Sequence, residues 1–354
     1  MTNSKEKRYE AMKSIPPVST IAQTWLQKIA HLCALLVIAG FLSTGSEIAH
    51  AQTKLSRVGF LTIGSPSKMP VVAGWLEIFR RVLAQQGLVE GKNITIVMRD
   101  AQGSSSNFGR AAAELVNERV DVIYAIGAPA IRAAYELTKS IPIVGSDYTN
   151  DPVAVGYAKS YAHPGGNVTG VFLDAPEFAA KWLEMMREIV PNLKRVVALW
   201  DPSPGDTHVR AMAEICKSFK IQLQVITVRT PDEIDSAGAQ FANRPQAIVA
   251  LPSPMLYAEN TRLVRLATKP RLPITSMFPN FADAGGLLGY GPNDAWTNER
   301  VAMLVAKILR GTKPGDLPIE RPVKFDLIVN LKTAKELNIK MPETVLTRAE
   351  RIIR

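Results

Sequence analysis

The groups that could do chemistry in this chain sit in short loops behind apolar runs. Ile126-Gly127-Ala128-Pro129 closes one run and opens an amphipathic stretch. Gly127 lets a ligand approach the backbone, and Pro129 suits the first turn of a helix. The free N–H groups of such a turn can hold a carboxylate, although a plain tight turn uses the same residues. Ser146-Asp147-Tyr148 follows the next run, where Asp147 can take a ligand ammonium or cap Asn150-Asp151-Pro152. Trp200-Asp201-Pro202 ends another run, and Trp200 offers a flat apolar face for stacking or for core packing. Ser65 lies in the first loop of this kind. Ser253 (in Pro252-Ser253-Pro254), Phe278 and Tyr290 lie at equivalent places further on. A mostly apolar surround with few polar anchors is what a small-molecule site requires.

Covalent and redox chemistry lack their parts. Gly59 and Gly64 do not form a dinucleotide fingerprint, no P-loop is present, and Ser65-Pro66-Ser67 is not a nucleophile elbow. Only four histidines occur. His208 stands near Asp201 and Asp206 and reads as a polar loop residue. No nucleophile, base and orienting group can be matched, so the expectation is a non-enzyme with no cofactor and no metal. Cys216 lies in an apolar helical stretch and reads as an inert buried thiol. The 354 residues include 42 basic and 32 acidic ones, a net charge of +10. The surplus is scattered, apart from Arg348, Arg351 and Arg354 at the C-terminus. A nucleic-acid partner would want a clustered basic stripe with aromatics between the charges, so none is expected.

The elements that must position these loops alternate. Residues 57–63 read as a strand, 70–86 as a helix, 93–98 as a strand and 107–119 as a helix. Then 121–126 is a strand, 129–139 a helix and 141–144 a strand. After a Pro/Gly-rich joint at 163–167 the pattern repeats. Helices at 176–189, 206–219, 231–242 and 257–268 alternate with strands at 195–200, 222–227, 247–251 and 272–275. Ile141-Pro142-Ile143-Val144 sits in its half where Leu272-Pro273-Ile274-Thr275 sits in the other. Repeated βα units of near-continuous apolar strands imply parallel sheets covered on both faces. The fold class expected is α/β, two doubly wound parallel-sheet lobes joined by a hinge. Ligands bind such sheets outside the carboxyl ends of their strands, where the loops above fall. A helix at 294–310 and a strand at 324–330 then pack back across the lobes.

The first fifty residues differ from the rest. Lys5, Lys7, Arg8, Lys13 and Lys28 precede an uncharged run of eleven, Leu32 to Leu42, and a small-polar stretch ends in Ala49-His50-Ala51. That order is a secretory signal with cleavage after about Ala51, with Met1 or Met12 as the start. The run is short of the roughly 20 residues that span a bilayer. Cleavage leaves 37 basic and 29 acidic residues and removes Cys33, so no intrachain disulfide is expected. The expected location is the periplasm.

Three stretches carry a family resemblance. Asp151-Pro152-Val153 with His163-Pro164-Gly165-Gly166-Asn167-Val168-Thr169-Gly170-Val171 resembles "DPV…RPGGNVTGV". Ala284-Gly285-Gly286-Leu287-Leu288-Gly289-Tyr290-Gly291 resembles "EAGGLMSYG". The run from Ile308 to Pro318 and that from Lys324 to Lys335 resemble "ILKGAKPADLP" and "KFELVINLKTAK". Together they are similar to ABC-transporter substrate-binding proteins related to tryptophan/tyrosine transport. The resemblance implies a type I periplasmic-binding fold with three crossings between lobes. It also implies Venus-flytrap closure and delivery to an ABC permease in the inner membrane. Relatives often have Gly-Thr-Pro where this chain has Gly127-Ala128-Pro129, and Val-Asn-Pro where it has Trp200-Asp201-Pro202. The combined expectation is a monomer with an N-terminal lobe at 52–170, a C-terminal lobe at 171–291 and a crossover segment at 292–354. It would bind an amino acid or related small organic acid between the lobes. The alternatives are a sensor subunit for a membrane kinase and an α/β enzyme.

Overall fold

The computed structural model describes residues 55–173 and 177–354; the segment expected to be a signal lies outside the described residues. Among the described residues no helix is long and apolar enough to cross a membrane. Five strands form a parallel first sheet: β1 (Ser56–Thr62), β2 (Ile94–Asp100), β3 (Val122–Ile126), β4 (Ile143–Asp147) and β5 (Val168–Phe172). Their order is β2-β1-β3-β4-β5. Every residue of β4 and β5 is buried, as strands covered on both faces require. The covering helices are α1 (Pro70–Gln85), α2 (Phe108–Asn117) and α3 (Ala128–Leu137). Helix α1 buries Val72, Trp75, Leu76, Phe79, Val82 and Leu83, one stripe at helical spacing.

The second sheet repeats this arrangement. Helix α4 (Glu177–Ile189) precedes β6 (Arg195–Trp200), α5 (Thr207–Ser218), β7 (Gln222–Thr227), α6 (Pro231–Ala237) and β8 (Ala247–Ala250). Helices α7 (Pro254–Ala258) and α8 (Asn260–Thr268) follow, then β9 (Ile274–Ser276) and β10 (Leu288–Pro292). Read from one edge, these strands run β7-β6-β8-β9-β10, the order of the first sheet. The echo between the Ile-Pro and Leu-Pro strands is physical. Ile123 N–H donates to the Pro142 carbonyl at 2.9 Å, and Ile248 N–H donates to the Pro273 carbonyl at 2.9 Å. Trp182 is fully buried between α4 and this sheet, its indole N–H donating to the Tyr290 carbonyl at 3.0 Å. A fully buried side chain of this size contributes about 3 kcal/mol of apolar burial.

The chain then returns. Helix α9 (Asp294–Leu309) follows β10 directly but packs on the first sheet, with Val301, Leu304 and Val305 against Val58, Phe60 and Val144. From α9 the chain runs along β5, where Phe172 N–H donates to the Glu320 carbonyl and Glu320 N–H to that of Gly170, both at 2.9 Å. Arg300 of α9 holds the Glu320 carboxylate through both oxygens, at 2.6 and 2.7 Å. β11 (Phe325–Asn330) then pairs antiparallel with β10, and β12 (Arg351–Ile353) adds to its far side. Short helices α10 (Leu331–Glu336) and α11 (Glu343–Leu346) lie between them.

Several expectations shift. The helix expected over 257–268 is two helices, because Ser253 caps a new one, accepting from Leu256 N–H, and the turn breaks at Glu259. The helix expected to reach 242 stops at Ala237. β5, β10 and β12 carry no expectation, since glycines interrupt the first two and the third spans three residues.

Gly170 explains its own motif. Its φ is +146°, it pairs with Gly145 across β4 and β5, and a Cβ there would lie 2.0 Å from the Gly145 carbonyl oxygen. Gly170→Ala is expected to destabilise the protein by on the order of 3 kcal/mol, measured as a lowered urea midpoint. Gly109→Ala, in an open position on α2, should instead be neutral or raise it slightly.

Candidate functional site

A narrow cavity of about 70 Å³ lies where the carboxyl ends of the two sheets face each other. The first sheet supplies Ile63 behind β1, Ile126, Gly127 and Ala128 behind β3, and Ser146 to Thr149 at the end of β4. The second supplies Pro204 behind β6, Pro252 to Pro254 behind β8, and Phe278 behind β9. Helix α1 adds Trp75, α7 adds Tyr257, and the first turns of α9 add Asp294, Thr297 and Asn298. This is the crevice that open α/β sheets offer.

The walls are aromatic. Trp75 of the first lobe stacks on Tyr257 of the second, with centroids 5.6 Å apart and planes 9° apart. Tyr257 also meets Phe278 at 4.2 Å. Tyr148 and Tyr124 bring hydroxyls that are already engaged. Tyr148 donates to Thr297 Oγ1 at 2.7 Å, and Tyr124 donates to Asn298 Oδ1 at 3.1 Å. Burial pushes the Tyr124, Tyr148 and Tyr257 phenols above their usual range, so all three stay neutral.

Two acidic residues line the cavity, and among the described residues no Lys, Arg or His does. Asp147 is inside the protein's own network. It accepts from Thr149 N–H at 2.8 Å, Thr149 Oγ1 at 2.6 Å and Asn150 Nδ2 at 3.0 Å. Burial raises its pKa, while these bonds and the charge of Arg132 pull it down. Asp294 is different. Burial pushes its carboxyl from 3.8 up to about 6; the neighbouring Trp75 indole lowers it and the Asp326 charge raises it. The Trp75 N–H is buried and closes no hydrogen bond of good geometry. The start of α3 offers little to an anion. Gly127 N–H donates to the Ser146 carbonyl, Pro129 has no N–H, and Ala130 N–H donates to the Gly127 carbonyl. Ala128 N–H is what remains.

Of the residues singled out in the sequence, Gly127, Ala128, Ser146, Asp147, Ser253 and Phe278 come together around this cavity. Five others stand outside its lining. Ser65 is in the loop before α1, 3.0 Å from Ser67 Oγ. Pro129 is buried in the first turn of α3. Tyr290 lies on β10, its ring stacked on Phe178 at 5.5 Å. Trp200 and Asp201 shape the loop at 201–206. Trp200 Nε1 donates to the Gly205 carbonyl at 3.0 Å, and Asp201 accepts from Ser203 N–H, Ser203 Oγ and Ser253 Oγ. That loop touches the opposite lobe. Arg132 donates to the Ser203 carbonyl at 2.9 Å, Asn150 to the Pro204 carbonyl at 3.1 Å, and Ser203 Oγ lies 3.0 Å from Ser105 Oγ. His208, expected in a loop, lies buried in the first turn of α5. Its Nε2 donates to the Tyr148 carbonyl at 2.9 Å, which fixes the tautomer because a carbonyl can only accept. Trp75, Tyr124, Tyr257, Asp294, Thr297 and Asn298 were missed, because helix faces rather than strand ends carry most of them.

Two like-ordered parallel sheets that close an aromatic cavity between their strand ends define a two-lobed binding protein. The profile of the ABC transporter substrate binding protein family matches residues 62–353, and the chain belongs to that family. A tyrosine-binding protein of Clostridioides difficile strain R20291 is 25% identical over 266 residues, covering 74% of this chain and 76% of its own. The crystal structure of a conserved domain protein from Vibrio cholerae is 26% identical with a TM-score of 0.76, covering 84% of this chain and 100% of its own. The structure of an ABC domain from Streptococcus pneumonia in complex with L-Trp is 23% identical, also with a TM-score of 0.76, covering 85% and 100%.

Asp294 makes a pH prediction. A carboxyl whose pKa is higher in the folded than in the unfolded chain favours folding most when protonated, so its stabilisation is lost as pH rises from about 4 through about 6. Asp294→Asn should therefore melt above the parent at pH 7.5, by up to about 3 kcal/mol before screening through the cleft mouth. The gap should close by pH 4. Equal melting curves at pH 7.5 would show that Asp294 is not held at a cost.

Proposed function

We propose that this chain is the extracytoplasmic solute-binding component of an ABC importer. Working as a periplasmic monomer after cleavage near Ala51, it takes a small molecule into the cleft between its lobes and presents the closed form to an inner-membrane permease. Family membership supports the transport role, and the aromatic cavity at the strand ends of both sheets supports the cleft. The observation that carries the proposal is that residues of both lobes line one cavity and touch directly around it. The solute is an amino acid or related small molecule. Two acids, one buried and one half-buried, with no base among the described lining residues favour one bearing an amine over a purely anionic organic acid.

Closure follows from population shift. Without ligand, the polar contacts around the mouth exchange for water at little net cost, so the lobes separate. A ligand touching both lobes binds the closed form better and shifts the balance. The radius of gyration in solution scattering should therefore fall when a tight solute is added, and superimposable curves would overturn the mechanism. Trp200→Phe keeps a ring in the core but removes the N–H that holds Gly205. It should weaken solute affinity about fivefold through faster dissociation, since a lost hydrogen bond is worth about 1 kcal/mol. An unchanged dissociation rate would remove the 201–206 loop from closure.

A further inference from the structure

The Asp294 carboxylate faces the cavity with no basic side chain beside it. The other polar side chains there are engaged within the protein: Tyr148 with Thr297, Tyr124 with Asn298, Asp147 with Thr149 and Asn150, and Ser253 with Asp201. Beside Asp294 stands the Trp75 N–H, 7% exposed and without an acceptor of good geometry. A carboxylate away from water is stable when paired and costly when not. An ammonium supplies the pair, and the Trp75, Tyr257 and Phe278 rings add attraction for a cation and stacking for an aryl group. A ligand carboxylate meets the reverse. It would enter beside two acids, find no Lys, Arg or His among the described lining residues, and find as donors Ala128 N–H at the start of α3 and the Trp75 N–H that already stands beside Asp294. Arg132, whose charge acts on Asp147, is bound to the Ser203 carbonyl at the mouth.

We propose that the cleft takes a cationic aryl amine in preference to the matching zwitterionic amino acid, with Asp294 as counter-ion of its ammonium. The proposal rests on the solute-binding reading above and narrows its ligand. Two features separate an amine from an amino acid here: the missing base, and the α3 turn whose donors are used internally. The aromatic walls alone accept either.

Calorimetry on the purified protein, dialysed free of small molecules, tests it with matched probes at pH 7.5. These are phenethylamine, tyramine and tryptamine; L-phenylalanine, L-tyrosine and L-tryptophan; and 3-phenylpropionate. At least one amine should bind tenfold or more tighter than its amino acid, and 3-phenylpropionate should give no heat. Asp294→Asn, nearly isosteric and expected to fold, should lower amine affinity at least thirtyfold. Trp75→Phe should weaken the same amine less. An amino acid binding as tightly as its amine overturns the amine preference and leaves the solute-binding reading standing. So does an amine affinity that Asp294→Asn does not change. Silence from all seven probes also overturns the amine preference, and the scattering test above then decides the solute-binding reading by itself.

Discussion

The Asn293 side chain joins the two lobes where the chain recrosses between them. Its Oδ1 accepts from Trp296 N–H at 2.7 Å and starts α9, while its Nδ2 donates to Asp326 on β11 at 2.7 Å. One short side chain thus fixes a helix of the first lobe to a strand of the second. The cavity-facing residues of α9 depend on that anchor. Asp294 faces the cavity, Thr297 accepts the Tyr148 hydroxyl, and Asn298 accepts the Tyr124 hydroxyl while donating to the Asp294 carbonyl at 2.8 Å. Moving the start of α9 by one residue would rotate all of them about 100° off the cavity, given 3.6 residues per turn. The lower half of α9 cannot adjust, because Val301 to Ile308 are packed into the first core.

Much of this fold was legible and much of the site was not, for the same reason. Strands buried on both faces are continuous apolar runs, so β1, β3, β6 and β8 stand out, and the loops behind them follow from topology. β5 and β10 carry Gly170, Gly289, Gly291 and Pro292, which locally signal turns. They are strands because tertiary packing overrides that signal; a Cβ on Gly291 would lie 2.0 Å from the Met277 carbonyl oxygen. Asp294 and Trp75 sit on helices whose periodicity marks a core stripe, and periodicity alone does not say which end of the stripe meets a cavity. Asp201 and Trp200 were chosen for their chemistry. The structure gives them to the 201–206 loop, which no local pattern separates from a pocket wall.

The cavity trades stability for readiness. A half-buried cavity position like Asp294 would be more favourable as an amide, and burial raising its pKa to about 6 reflects that cost. Asp147 shows what the chain does with a buried acid that it uses structurally: it surrounds the acid with three hydrogen bonds. The contrast between two acids in one cavity separates a group that holds a loop from one that has only the Trp75 indole beside it and is proposed above to pair with a ligand.

The closure proposed for this chain would rest on contacts that do not favour it strongly alone. Around the mouth the lobes meet through Arg132 to a carbonyl, Asn150 to a carbonyl, His208 to a carbonyl and Ser105 to Ser203. Water can take each carbonyl's place when the cleft opens, so each contributes about 1 kcal/mol or less. The apolar contact across the cleft is mainly Trp75 on Tyr257, with Pro254 against Gly127, where a Cβ would lie 2.7 Å from the proline ring. If the lobes close around a ligand as proposed, closing would take the Asp294 carboxylate further from water, and that would oppose these gains. On the proposed reading, a ligand that neutralises Asp294 would offset that cost while adding its own burial. On that reading affinity and closure are one quantity: a solute that fails to pair with Asp294 would fill the space yet leave the clamp near its resting equilibrium.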